Sequence, residues 1–264
     1  MIRFASLSSG SNGNCYCIAN DKTTIIIDAG IGFRTLKKRL SEIGVAVKDI
    51  SFILVTHDHI DHIKHLGSIA FRNSIPVIAT PAVHKSLDYH PCTAGFLSGL
   101  VQEVIPGENY EKEGVEFIPF SVPHDATETV GYHIDFFGER FTIVTDIGRI
   151  TEDVIRYSRM ANHLVFEANY DMNMLMDGEY PRYLKERIRG GNGHLSNDQT
   201  ALALSRICHP ELRNIFMCHL SEKNNDPGVA YKTVSGYLNK SGINIKDNLN
   251  IECLPRQTLF YKEI

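Results

Sequence analysis

The sequence predicts an α/β fold of two mixed sheets packed face to face with helices outside. Three observations point there. Strand-like apolar runs alternate with helix-like stretches in the first third of the chain and again in the last third. The middle is strand-rich. The chain has 264 residues, 43% hydrophobic and 22% charged, enough for a substantial core in one large globular domain, or at most two. Composition alone does not choose this layout over another α/β arrangement.

In order, strands are expected near 2–7, 14–19 and 23–28, then a helix near 33–43. The apolar run Phe52-Ile53-Leu54-Val55 reads as a buried strand at 52–56, followed by a helix at 63–72 and a strand at 76–79. Strands follow at 101–105, 115–121, 130–137 and 140–145, with Phe137-Gly138-Glu139-Arg140 as a hairpin turn. Next come a helix near 151–158, a strand at 163–168, and helices near 181–189 and 196–207; Ser196-Asn197-Asp198-Gln199 has the form of a helix N-terminus. A strand at 213–218, a helix near 227–240 and a final strand pair at about 249–261 complete the chain.

No internal repeat, low-complexity tract or Pro/Gly/Ser-rich linker interrupts it. No segment has the apolar length of a membrane span. The start, Met1 to Leu7, moves straight into a strand pattern without the apolar core of a secretion signal, so a cytoplasmic location and no membrane partner are expected. Six cysteines (15, 17, 92, 208, 218, 253) form no Cys-x-x-Cys pair and read as thiols, with Cys15 and Cys17 on one strand face. The net charge of −4 excludes a global basic field, so any nucleic-acid contact must come from a local patch.

The chemistry concentrates in Thr56-His57-Asp58-His59-Ile60-Asp61-His62. Imidazole and carboxylate are ligands that divalent transition metals prefer. In an extended segment residues two apart face the same side, so His57 and His59 can reach one ion. Asp61 and His62, where the chain turns into a helix, can face a second. His124 in Pro123-His124-Asp125-Ala126, Asp146 after Phe141–Thr145, and His219 after Ile215–Cys218 each lie just past an apolar strand. Side chains from separate strands converge at such a rim.

In sequence order these motifs resemble the metallo-β-lactamase fold superfamily, including Asp28 in Ile27-Asp28-Ala29-Gly30. The resemblance implies a four-layer αββα sandwich. It implies that His57, His59 and His124 hold one metal, that Asp61, His62 and His219 hold the other, and that Asp146 bridges them, with Asp28 structural. His65, one helical turn after His62, is read as a non-ligand. Two divalent ions (Zn or Mn, with Fe as a further candidate) would lower the pKa of a bridging water to give a hydroxide nucleophile for hydrolysis.

Spacing narrows the branch. The stretch from Asp146 to His219 is too short for the inserted domain of the RNA-processing β-CASP nucleases, and the tail beyond His219 is too short for the helical substrate domain of a glyoxalase II. Val165-Phe166-Glu167-Ala168-Asn169-Tyr170-Asp171 and Gly193-His194-Leu195-Ser196-Asn197 resemble the Glu and Gly-His-Ser/Thr elements of ribonuclease Z and its phosphodiesterase relatives. That implies His194 as the general acid, oriented by Glu167, with Asp61 as both ligand and catalytic residue. The fuller set resembles the WalJ/YycJ-like proteins, bacterial cytoplasmic double-stranded DNA 5′-to-3′ exonucleases. Its residues are Ser8-Ser9-Gly10-Ser11-Asn12-Gly13-Asn14, Thr56–His62, Glu167-x-Asn169-x-Asp171, and His219-Leu220-Ser221 with Asn224-Asn225.

The expected substrate contacts are Ser11 and Asn12 in the opening loop, Asn169, and the basic face Arg182, Lys185 and Arg189, with Arg187 beside it. Arg34, Lys37, Lys38 and Arg39 form a second basic group. Two other readings compete with a DNA exonuclease. One is a small-molecule hydrolase acting on a cyclic phosphodiester, thioester or lactone. The other is a metal-stabilised interaction module.

Overall fold

The structure, a computed structural model, describes residues 1–243, 245 and 249–264. It divides into two compact units: residues 1–114, 126–128 and 255–264, and residues 115–125 and 129–254.

The chain enters the first unit with β1 (Arg3–Ser8), β2 (Cys15–Ala19), β3 (Thr24–Ile27), α1 (Phe33–Glu42) and β4 (Ile50–Leu54). It continues with α2 (Ile60–Ile63), α3 (Leu66–Asn73), β5 (Val77–Ala79), α4 (Pro81–Tyr89), β6 (Val101–Glu103) and β7 (Tyr110–Lys112). The second unit begins with β8 (Val115–Ser121), β9 (Val130–Phe136), β10 (Glu139–Val144), α5 (Glu152–Ser158) and β11 (His163–Glu167). It adds α6 (Met172–Asp177), α7 (Arg182–Arg189), α8 (Asn197–Ile207), β12 (Asn214–Cys218), α9 (Pro227–Lys240) and β13 (Asn250–Cys253). β14 (Phe260–Glu263) belongs again to the first unit.

Both sheets are mixed. The first runs β14-β1-β2-β3-β4-β5-β6, antiparallel from β14 to β3 and parallel from β3 to β6. In the second unit the order is β13-β12-β11-β10-β9-β8, antiparallel from β8 to β10 and parallel from β10 to β13. Each unit thus starts as an antiparallel meander and then adds parallel strands, which need crossover connections, here mostly helical. The sequence carries no repeat, yet the plan is repeated.

Burial explains the elements. In the first unit Leu36 and Leu40 of α1, Ile69 and Ala70 of α3, and Val83 and Leu87 of α4 join Ala5, Leu7, Cys15, Cys17, Ile26 and Ile53 in one core. The alternate strand residues Tyr16, Ile18, Ile25, Ile27, Phe52 and Leu54 are also fully buried. Strands covered on both faces read as continuous apolar runs, and these do. The second core joins Val144, Leu164, Phe166, Ile215 and Met217 to Val154 of α5, Leu204 of α8 and Val234 of α9. All six cysteines are free thiols; Cys15, Cys17 and Cys218 are buried and the other three half-buried. Burial pushes the Cys17 thiol up to about 12, leaving it inert. Among the described residues no helix is long and apolar enough to cross a membrane.

Several elements differ from expectation. The helix expected at 63–72 is present as α3, preceded by a separate single turn, α2, the two parted where His65 leaves helical geometry (φ −119°, ψ 2°) and donates its N–H to Ala29 O. The short helices α4 and α6 and the strand β7 were not foreseen. Yet α4 has Thr80 capping Val83 N–H with Pro81 in its first turn, and α6 has Asp171 capping Met174 N–H. The final strands are not a pair: β13 lies beside β12 and β14 beside β1, in different sheets. The expected turn at 137–140 is present, with Phe137 and Gly138 both left-handed (φ 55° and 90°) as a two-residue hairpin requires.

Candidate metal centre

Within each unit the ligand-type residues gather at the carboxyl ends of neighbouring strands, where α/β proteins bind ligands. In the first unit Asp28 follows β3 and Thr56-His57 follow β4. The buried Asp28 carboxylate accepts from Thr56 N–H at 2.9 Å, Thr56 Oγ1 at 2.8 Å and His62 Nδ1 at 2.7 Å. Thr56 gives its hydroxyl proton to Asp28, so its oxygen accepts from His57 Nδ1–H at 2.9 Å. Both imidazoles are thereby set with Nε2 as the basic nitrogen. The His57 ring lies 4.8 Å from that of His59 and 4.1 Å from that of His62, and Asp61 Oδ2 is 3.7 Å from His62 Nε2. At Gly30 an added Cβ would stand 1.8 Å from Asp61 O, so only glycine fits the Ile27-Asp28-Ala29-Gly30 turn against the ligand loop.

Asp58, inside the motif, takes no part in this cluster. Ser86 Oγ and Thr127 N–H and Oγ1 donate to it. Burial would raise its pKa, but those hydrogen bonds outweigh burial and hold the carboxyl below the usual range.

In the second unit Asp146 follows β10, Glu167 ends β11 and His219 follows β12. One ligand atom from each of Asp146, Glu167, His194 and His219 lies within 4.8 Å of the others. Fully buried Glu167 accepts from His194 Nδ1 at 2.8 Å and His219 Nδ1 at 2.9 Å through Oε1, and from Ile147 and Leu195 N–H through Oε2. Burial would raise the Glu167 carboxyl, but the His194 charge and the hydrogen bonds from His194 and His219 outweigh it and the pKa falls. Burial would likewise lower His194, and attraction to Glu167 outweighs it, raising its pKa. Asp146 Oδ1 stands 3.2 Å from His219 Nδ1 and 3.7 Å from His124 Nε2. His124 donates Nδ1–H to Gly193 O at 2.9 Å.

The donor set fits divalent metal ions. His57, His62, His124, His194 and His219 each have Nδ1 within 2.9 Å of an oxygen of the chain itself. Metal-binding imidazoles are characteristically supported in this way, with the opposite nitrogen left for the ion. Asp28, Asp146 and His219 also share left-handed backbone at φ 61°, 52° and 54°. Such strain in non-glycine residues is retained where surrounding contacts over-determine it.

The expected substrate contacts have a different setting. Ser11 and Asn12 sit exposed on a turn, and Asn14 reaches the ligands instead. Asn169 is buried and donates its amide to His219 O at 2.8 Å. On α7, Arg182 pairs with Glu186, Lys185 donates to Met176 O and Arg189 rests on the Met176 sulfur. Arg187 pairs with Asp125, the neighbour of His124. Asn14 was missed because nothing in its local sequence marks it beyond the Gly/Ser/Asn-rich loop it ends.

The family model for the "Beta-lactamase superfamily domain" matches residues 23–217, and the chain belongs to this superfamily. It is a metal-dependent hydrolase with the metallo-β-lactamase fold. It is 30% identical over 254 residues to "Exodeoxyribonuclease YycJ" of Bacillus anthracis, covering 95% of this chain and 94% of that protein. It is 27% identical over 244 residues to "Exodeoxyribonuclease WalJ" of Streptococcus pneumoniae serotype 2 (strain D39 / NCTC 7466), covering 92% and 91%. Among solved structures it is similar to the metallo-β-lactamase fold protein YhfI from Bacillus subtilis, with TM-score 0.71, 11% identity, and coverage of 99% and 100%.

Proposed function

We propose that the protein is a single-domain, cytoplasmic dinuclear phosphodiesterase acting as a DNA 5′-to-3′ exonuclease. In this reading His57, His59 and His124 would hold one divalent ion and Asp61, His62 and His219 the other, with Asp146 as a ligand shared by the two. When bound, the ions supply the positive charge that ionises a water at neutral pH and neutralises phosphoryl oxygens.

The observation that carries the phosphodiesterase reading is the buried Glu167–His194 pair at 2.8 Å. Glu167 engages Nδ1, so the His194 proton available to a substrate is on Nε2. Attraction to Glu167 raises the His194 pKa and so favours its protonated form. Cleaving a phosphodiester expels a sugar alkoxide, a poor leaving group that needs such a proton. Glu167 fixes the ring and stabilises its charged form; with four donors already on it, it serves as an orienting group. The names of the two curated relatives support DNA as the substrate.

Incubating metal-loaded protein with 5′-labelled duplex DNA tests this reading, with labelled nucleotides expected from the 5′ end. Release no greater than that of an Asp61→Ala/His62→Ala control overturns it.

One observation favours a second reading, a small phosphodiester substrate: the α7 cations expected to hold DNA bond to groups of the chain itself. If Arg182→Glu with Lys185→Glu leaves DNA and a chromogenic phosphodiester cleaved as before, this reading gains. Selective loss of DNA turnover favours the nuclease.

A further inference from the structure

We infer that Asn14 is a positioning residue for one ion of the pair, its side-chain amide gathering the Asp61 carboxylate and the His62 imidazole before an ion binds and restraining Asp61 as a ligand. This rests on the dinuclear reading above.

Asn14 is fully buried where the opening loop meets β2. Its backbone is pinned on both sides: N–H donates to Asp61 O at 2.8 Å, and its carbonyl accepts from Gly30 N–H at 3.0 Å. Its Nδ2 lies 3.1 Å from Asp61 Oδ2 and 2.9 Å from His62 Nε2. An amide NH₂ has two hydrogens, one for each of these atoms. His62 Nδ1–H is committed to Asp28 at 2.7 Å, so Nε2 carries the lone pair and accepts. The opposite amide orientation would set Oδ1 against a carboxylate oxygen and that lone pair, acceptor against acceptors, and is excluded on electrostatic grounds. Oδ1 itself is buried without a hydrogen-bond partner among the described residues. A buried carbonyl left this way is costly, so the favourable contacts of this side chain are those its two N–H donors make.

The amide therefore bridges two atoms assigned to one cation, with the sign of charge a cation would bring. It keeps a carboxylate and an imidazole close before any ion arrives. With the His62 lone pair committed to an ion, the amide would keep only its bond to Asp61. The bond to the charged Asp61 is the stronger of the two and continues to restrain that carboxylate. Groups that support ligands in this way contribute about 10- to 100-fold in metal affinity.

Zn²⁺ affinity, measured by competition with a chromophoric chelator, tests this without reference to turnover. In Asn14→Ala one Zn²⁺ should bind about 10- to 100-fold more weakly while the other keeps its wild-type affinity. Two ions at wild-type affinity overturn the inference. So does equal weakening of both, the pattern of a purely structural role. Asn14→Ser, which retains one donor, is judged by the same criterion should Asn14→Ala not fold. Asp61→Ala separates the two claims. If it retains both ions, the dinuclear assignment fails. If it loses one and Asn14→Ala loses none, only the role of Asn14 fails.

Discussion

His194 and Glu167 lie far apart in sequence, and β11 and the loop before α8 bring them within 2.8 Å. An acid that serves a poor leaving group matters only when that group needs a proton. His194→Ala should therefore lower kcat on DNA by about 100- to 10,000-fold. A nitrophenyl phosphodiester, whose leaving group departs unprotonated, should be affected far less. Equal losses on the two substrates, or unchanged DNA cleavage, would remove His194 from the acid role. Steady-state rates at matched metal content make the comparison. The residue types of this site were legible in the sequence, because strand-end His and Asp stand out against apolar runs. Their partners were not. Nothing local to His57 announces Thr56 as the acceptor of its Nδ1–H, and nothing in Asn14 announces Asp61.

At the scale of elements, the β9–β10 hairpin carries a pH-sensitive residue. His133 faces Thr142 across the pair, Nδ1 to Oγ1 at 2.9 Å, and is 5% exposed. Burial first, then repulsion from Arg140, pushes its pKa down to about 4, with Asp135 opposing. In the unfolded chain it titrates near 6.5. Between these values the unfolded state binds more protons, so stability falls as pH drops from about 6.5 toward 4. The loss is on the order of 3 kcal/mol by acid pH. Urea unfolding at pH 7 and pH 4.5 should show a smaller acid loss in His133→Gln than in the parent; an identical loss in both would sink this account. Long, well-capped elements such as α8 and α9 were readable because their caps and periodicity are local. α6 escaped notice because it is short, and α4 went unread although Thr80-Pro81 carried a cap signal, as did Asp171 for α6. The split of α2 from α3 had no such signal, since the N–H of His65 bonds to Ala29, a residue far back in sequence.

For the whole molecule, ions that bind the folded chain and not the unfolded one must stabilise it. Each ion present at a hundred times its Kd contributes about 2.7 kcal/mol. At roughly 2–4 °C per kcal/mol for a chain of this class, two ions should raise Tm by on the order of 10–20 °C. Thermal scans with Zn²⁺ and with excess chelator measure this, and a Tm indifferent to chelation would argue against a resident pair of ions.

The sequence by itself determined that the chain is a mixed α/β protein, that its ligand-type side chains stand at strand ends, and which superfamily it resembles. Those properties are written in neighbouring residues, as hydrophobic runs, caps and motif spacing. Tertiary structure alone decided that β13 and β14 join different sheets, that Asp28 and Glu167 orient the histidines, that Arg187 of α7 pairs with Asp125, and that Asn14 bridges Asp61 and His62. Each of those depends on hydrogen bonds or strand pairing between residues distant along the chain. Such contacts have no periodicity for a linear reading to detect.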